Sequence, residues 1–175
     1  MNQEINKIRN ENNAINEYIN SIKNHIIDPK ASKLIDDLKW LKLEGFSQDN
    51  LNSFPIITAG KGPKVLLLHG FDSCFLEYRR LTPLLESNHK LIIPDLYGFG
   101  FCPRSNGKKY GFQYIMEHLN LILDCIYNKK PIGIIGASMG GALAMELARQ
   151  NPDKINKLLL LSPAGLTGKN PKIPW

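Results

Sequence analysis

The chain has 175 residues, enough for one domain with a buried core. Its formal net charge is +6, but the basic residues fall in short pairs (Arg79-Arg80, Lys108-Lys109, Lys129-Lys130), so the expectation is a solvated basic surface and not the clustered stripe of a nucleic-acid binder. No apolar run approaches the length of a membrane span, and the polar, Asn-rich N-terminus does not read as a secretory leader.

Residues 1–45 read as an N-terminal helical extension. Ile5, Ile8, Ile15, Tyr18, Ile19, Ile22 and Ile26 recur at steps of three, four and seven, a narrow helical stripe. Asn12, Asn13 and Asn16, mediocre helix formers, flank it, and Asp28-Pro29 ends it. A second helix is predicted over 31–43, with Leu34, Ile35, Leu38 and Leu41 on one face and Gly45 as the C-cap. Such a stripe more often packs on its own domain than on a partner; left exposed, it would serve docking.

Residues 46–175 form the second unit, and from Phe54 strand and helix patterns alternate. Residues 55–59 read as a short strand, Gly60-Lys61-Gly62-Pro63 as a turn, and 65–68 as a continuous apolar strand ending at His69-Gly70. A helix is predicted over 75–86, broken or kinked at Pro83. A strand over 90–93 leads into Pro94-Asp95-Leu96-Tyr97-Gly98-Phe99-Gly100. A helix over 112–127, a strand over 132–135, a helix over 142–150 stopped by Asn151-Pro152, and a strand over 155–161 complete the pattern. Apolar strands without alternation, separated by helices, indicate an α/β fold with a mostly parallel sheet covered on both faces.

Between two of these elements stands Gly136-Ala137-Ser138-Met139-Gly140, a Gly-x-Ser-x-Gly motif. The strand before it and the helix after it are the context of a nucleophile elbow. A hydroxyl is a poor nucleophile at neutral pH, so it must be exposed, deprotonated and given donors for the oxyanion it creates. The flanking glycines allow strand and helix to approach around a strained turn that lifts Ser138 to the carboxyl end of the sheet. The Met139 N–H can face a substrate oxyanion. The loop after the strand at 65–68, His69-Gly70-Phe71-Asp72, supplies the second donor, for which the Phe71 N–H is the candidate. Gly133, Gly136, Gly140 and Gly141 do not form Gly-x-Gly-x-x-Gly, which argues against dinucleotide binding.

Three blocks, Leu67-Leu68-His69-Gly70-Phe71, then Pro94 to Gly100, then Gly136-Ala137-Ser138-Met139-Gly140-Gly141, resemble the α/β-hydrolase fold superfamily in order and spacing over residues 54 to 165. The resemblance is to the capped esterase, lipase and carbon–carbon hydrolase branch, since a serine at 138 argues against the branches that use aspartate there. It implies a partial α/β-hydrolase fold and a serine-nucleophile hydrolase of ester or related acyl substrates, with a small-molecule acyl substrate if active. It also implies that an acid and then a histidine follow two strands later, after a cap. No histidine follows His118 in this chain, so the triad order cannot be filled. The alternative is a non-catalytic, hydrolase-like binding or scaffold protein.

The other candidates read as structural. The family uses His69 structurally; His118 is read as a surface or packing residue; His25 and His89 carry no motif. Asp95 and Asp72 are expected to bind loop backbone, and Asp153, beside Pro152, reads as a surface residue. Cys102 stands where similar sequences often have Ser. The last strand, rich in leucine over 158–161, would be a sheet edge that invites pairing, with a second polypeptide covering it. Cys74, Cys102 and Cys125 are widely spaced, odd in number and without a Cys-x-x-Cys pair, which points to a soluble protein of a reducing, intracellular compartment. Frequent Ile, Lys and Asn suggest an AT-rich genome, hence plastid stroma beside cytoplasm. No His/Cys/Asp cluster has metal-ligand spacing, so neither a metal nor an organic cofactor is expected.

Overall fold

Asp28 opens the first labelled helix, α1 (Pro29–Asp36), by accepting the Lys30 N–H at 2.9 Å, while Pro29 sits at the helix start, where a missing donor costs nothing. Arg79 donates to the same carboxylate at 2.7 Å and holds it below the usual carboxylate range. The computed structural model describes residues 17–48, 53–104 and 107–166. Helical turns over 17–23 precede α1, and Ile19 and Ile26 pack against the core that holds Leu34 and Ile35. Ile19 and Ile26 of the stripe therefore cover their own domain, while Tyr18 is 61% exposed; Ile5, Ile8 and Ile15 lie outside the described residues.

α1 stops at Asp36, in place of the helix that the periodicity predicts through residue 43. The Asp37 N–H reaches back to the Lys33 and Leu34 carbonyls, and Leu38–Lys42 is a strand, β1. Leu38 and Leu41 satisfy a helical period, but these residues meet an open sheet edge. β1 pairs antiparallel with β2 (Ser53–Ala59), Leu38 opposite Ile57 and Lys42 opposite Ser53. Satisfying that edge overrides the local helical pattern.

The remaining elements are β3 (Lys64–Leu68), a 3₁₀ turn (Phe75–Arg79), α2 (Thr82–Leu85), β4 (Lys90–Pro94), α3 (Phe112–Ile126), β5 (Ile132–Ala137), α4 (Met139–Gln150) and β6 (Ile155–Leu161). The helix predicted over 75–86 is divided into the 3₁₀ turn and α2, with Pro83 accommodated in the first turn of α2. The sheet order is β1-β2-β4-β3-β5-β6. β1, β2 and β4 pair antiparallel, and β4, β3, β5 and β6 run parallel.

Two cores flank the sheet. On one face Leu66, Leu68, Ile132 and Ile134 pack with Leu119 and Leu123 of α3 and Leu143 and Leu147 of α4. On the other, Leu67, Leu91, Ile93 and Ile135 pack with Leu34 and Ile35 of α1 and Phe75 and Tyr78 of the 3₁₀ turn. Alternate residues of β3 thus serve opposite cores, and helices cover both faces, as expected of an α/β fold. The outer strands are less covered: no residue of β1 is fully buried, and Leu158, Leu159 and Leu161 of β6 are 41%, 53% and 41% exposed.

His118 is a packing residue. It is fully buried among Phe46, Phe54 and Tyr97, and neither ring nitrogen has a hydrogen-bond partner among the described residues. Burial pushes it down to about 3 from its ordinary 6.5. The neutral folded form binds protons less readily than the unfolded chain, so stability is present above pH 6.5 and is lost as pH falls toward 3. Replacing His118 with Leu removes two unpaired polar atoms from the core. Urea denaturation at a series of pH values should show His118→Leu at least as stable as the parent at neutral pH and with a shallower loss below pH 6.5; an unchanged acid slope would contradict this assignment.

Candidate active site

The strand order reverses at β3, with β4 on one side and β5 on the other. In open α/β sheets the crevice at the carboxyl ends of such strands is where ligands bind. Leu68 of β3 is in register with Gly136 of β5, so His69-Gly70 and Ala137-Ser138 leave the sheet side by side.

Ser138 stands between β5 and α4 with φ 51° and ψ −116°. A left-handed φ is strained for a residue with a side chain, by about 1–3 kcal/mol. Hydrogen bonds hold it there: its N–H donates to the Leu161 carbonyl at 3.0 Å, and its carbonyl accepts from Gly141 at 3.0 Å and Ala164 at 2.9 Å. The chain just after β6 therefore braces the turn. Glycine is required on both sides. A methyl group on Gly136 would stand 2.5 Å from the Gly140 carbonyl oxygen, and one on Gly140 would stand 2.5 Å from the Leu68 carbonyl carbon. Ser138 itself is exposed, and among the described residues no histidine or carboxylate is bonded to its hydroxyl.

Met139 follows this serine in the chain, and Phe71 follows Gly70, whose added methyl group would lie 3.4 Å from Ser138 Cβ. The N–H groups of Phe71 and Met139 have no acceptor among the described residues. Met139 opens α4, where unpaired N–H groups and the helix dipole favour negative charge. Phe71 lies in the loop after β3, its ring 68% exposed and packed edge-on against Phe99. Tyr78 donates its hydroxyl to the Leu68 carbonyl at 2.7 Å, which seals the end of β3 beneath this loop.

His69 is buried, with Nδ1 2.8 Å from the Gly70 carbonyl and Nε2 2.9 Å from the Leu96 N–H. The Leu96 amide can only donate, so Nε2 accepts and the proton sits on Nδ1. Both nitrogens are engaged with backbone, and burial pushes the imidazole down from its ordinary value. In this arrangement His69 has no lone pair to offer Ser138. Asp95 is equally buried: Oδ1 accepts the Phe75 N–H and Oδ2 the Phe101 N–H, both at 2.6 Å. Burial pushes its carboxyl up to about 7, against the opposing pull of those two donors. Asp95 binds loop backbone, as its place at the end of a strand suggests.

The other titratable residues stand apart. Asp72 is exposed with φ 52°, and Asp153 is exposed in the turn before β6. His89 sits just before β4, at the opposite end of the sheet. His25 meets the Ser21 carbonyl at 2.7 Å near the N-terminal helical turns. Two acids carry no motif and escape a reading of the sequence. Glu146, downstream of Ser138 on α4, is paired with Arg149 at 2.7 Å, which drives its carboxyl down to about 2. Glu77 accepts the Gly70 N–H at 2.9 Å and so reaches the site from the 3₁₀ turn. The described residues hold no cluster of three or more His, Cys, Asp or Glu able to bind a metal ion, and no helix long and apolar enough to cross a membrane.

The sequence profile of the alpha/beta hydrolase fold matches residues 63–175. The chain is 32% identical over 111 residues to a 2-hydroxy-6-oxo-2,4-heptadienoate hydrolase of Pseudomonas putida, covering 62% of this chain and 40% of that protein. It is 34% identical over 108 residues to monoacylglycerol lipase abhd6-B of Xenopus laevis, covering 61% of this chain and 32% of that protein. Among solved structures, a lipase-like protein from Acinetobacter baumannii superposes with a TM-score of 0.69 at 26% identity, over 85% of this chain and 50% of that one. The chain spans less than half the length of these two curated relatives.

Proposed function

Because this chain belongs to the α/β-hydrolase fold family, we propose that it carries the nucleophile of a serine hydrolase acting on small-molecule esters or related acyl substrates. The observation that carries this reading is the exposed, left-handed Ser138, with the N–H groups of Met139 beside it and of Phe71 in the neighbouring loop both unengaged among the described residues. The Ser138 hydroxyl adds to the acyl carbonyl while a base takes its proton. The carbonyl oxygen gains the negative charge and is met by the two N–H donors. Collapse expels the alcohol, which takes up the proton, and water then releases the acid from the serine by the same steps in reverse order.

None of the chain's four histidines stands as the base in this arrangement. His69 is engaged at both nitrogens, His118 is buried away from solvent, and His25 and His89 lie elsewhere. General base catalysis contributes roughly 10²–10⁴-fold, so the serine is slow without it. The three free thiols, Cys74, Cys102 and Cys125, suit a reducing compartment, cytoplasm or plastid stroma. The exposed leucines of β6 support a further polypeptide segment pairing along that edge. Sedimentation of the isolated chain should then show association above 19.7 kDa, and a stable monomer would count against an unmet edge.

The engagement of His69 also supports a second reading, a hydrolase-like binding or scaffold protein that keeps the turn for its shape. Intact mass after exposure to a fluorophosphonate, with imidazole added as a stand-in base, separates the two. The hydrolase reading predicts one adduct, faster with imidazole and absent from Ser138→Ala. A chain unmodified with or without imidazole would favour the binding protein.

A further inference from the structure

The segment from Gly70 to Phe75 joins β3 to the 3₁₀ turn and carries the Phe71 N–H. Carboxylates grip it at both ends. Asp95 accepts the Phe75 N–H at the far end, and Glu77 Oε2 accepts the Gly70 N–H at the near end, at 2.9 Å. The Gly70 carbonyl is taken by His69 Nδ1 at 2.8 Å. Both polar backbone groups of Gly70 are engaged, and the Phe71 N–H that follows has no acceptor among the described residues. The turn that presents Glu77 is itself anchored: Phe75 and Tyr78 are buried, and the Glu77 N–H donates to the Cys74 carbonyl at 3.0 Å.

Glu77 also stands close to the nucleophile. A methyl group on Gly70 would lie 3.4 Å from Ser138 Cβ and 3.6 Å from Glu77 Oε2, so the serine and the carboxylate flank this glycine. A bare carboxylate there would oppose an oxyanion forming on the substrate. One bonded to the Gly70 amide and open to water instead fixes the loop while its charge is screened. We propose that Glu77 is a positioning residue, whose carboxylate locks the Gly70 amide so that the Phe71 N–H is held toward the oxyanion formed at Ser138. This role rests on Ser138 being the nucleophile.

Two measurements on the full 175-residue chain test it: amide exchange at Gly70, which needs no activity, and the rate of fluorophosphonate addition to Ser138 with imidazole present. In Glu77→Ala, Gly70 should exchange faster and Ser138 should react more slowly, each by on the order of tenfold, the scale of one charge-assisted hydrogen bond. Glu77→Gln keeps an acceptor oxygen and loses the charge, so its protection of Gly70 and its reaction rate should both fall between those of the parent and of Glu77→Ala. Unchanged exchange at Gly70 in Glu77→Ala would overturn the lock. Faster exchange with an unchanged reaction rate would overturn the role in catalysis. A parent chain that does not react at all would instead remove the nucleophile reading, while exchange still decides whether Glu77 holds the loop.

Discussion

α4 begins so close to the end of β3 that a methyl group on Gly140 would stand 2.6 Å from the His69 carbonyl oxygen as well as against Leu68. That close approach is the constraint on which the rest of the crevice depends. It forces the chain to pass from β5 into α4 through a single residue with a left-handed backbone, and that residue is Ser138. Its hydroxyl is thereby carried clear of the sheet, and the Met139 amide opens a helix with no acceptor among the described residues. The strain of about 1–3 kcal/mol is matched by the bonds that Ser138 makes to Leu161, Gly141 and Ala164, each contributing about 1 kcal/mol. The turn is therefore braced from within the described residues, by the strand and loop that follow it as much as by its own glycines.

Around this turn the polar residues that look catalytic serve the backbone. His69 links its own loop to Leu96, and Asp95 links the ends of two loops through Phe75 and Phe101. Burying an imidazole and a carboxylate is costly unless each lone pair and proton is matched. Here each is matched by a main-chain group, which is why neither is free for chemistry; burial displaces their titration, and those bonds oppose the shift. The arrangement leaves Ser138 exposed at the turn, with no histidine or carboxylate among the described residues bonded to its hydroxyl.

Much of this was legible from residue order. The apolar runs at 65–68, 90–93 and 132–135 are parallel strands covered on both faces, which need no polar alternation, and the run at 155–161 is the exposed parallel strand at the sheet edge. The Gly-x-Ser-x-Gly spacing placed Ser138, and the end-of-strand position of Asp95 announced a loop-binding carboxylate. β1 was not legible: Leu34, Ile35, Leu38 and Leu41 fit a helical period, and only the open edge of β2 decides the contest after Asp37. Glu77 was hidden for a different reason. Its partner is a backbone amide seven residues upstream, brought into reach by a 3₁₀ turn whose register is set by the burial of Phe75 and Tyr78, and no side-chain motif records such a bond.

The most direct test of a preformed oxyanion site is a crystal structure of the chain with a phosphonyl group on Ser138. A preformed site would hold a phosphonyl oxygen about 3 Å from both the Phe71 and the Met139 nitrogen, with Ser138 still at positive φ and Gly70 still bonded to Glu77. A phosphonyl group whose oxygens meet only solvent, with either amide turned away, would contradict it.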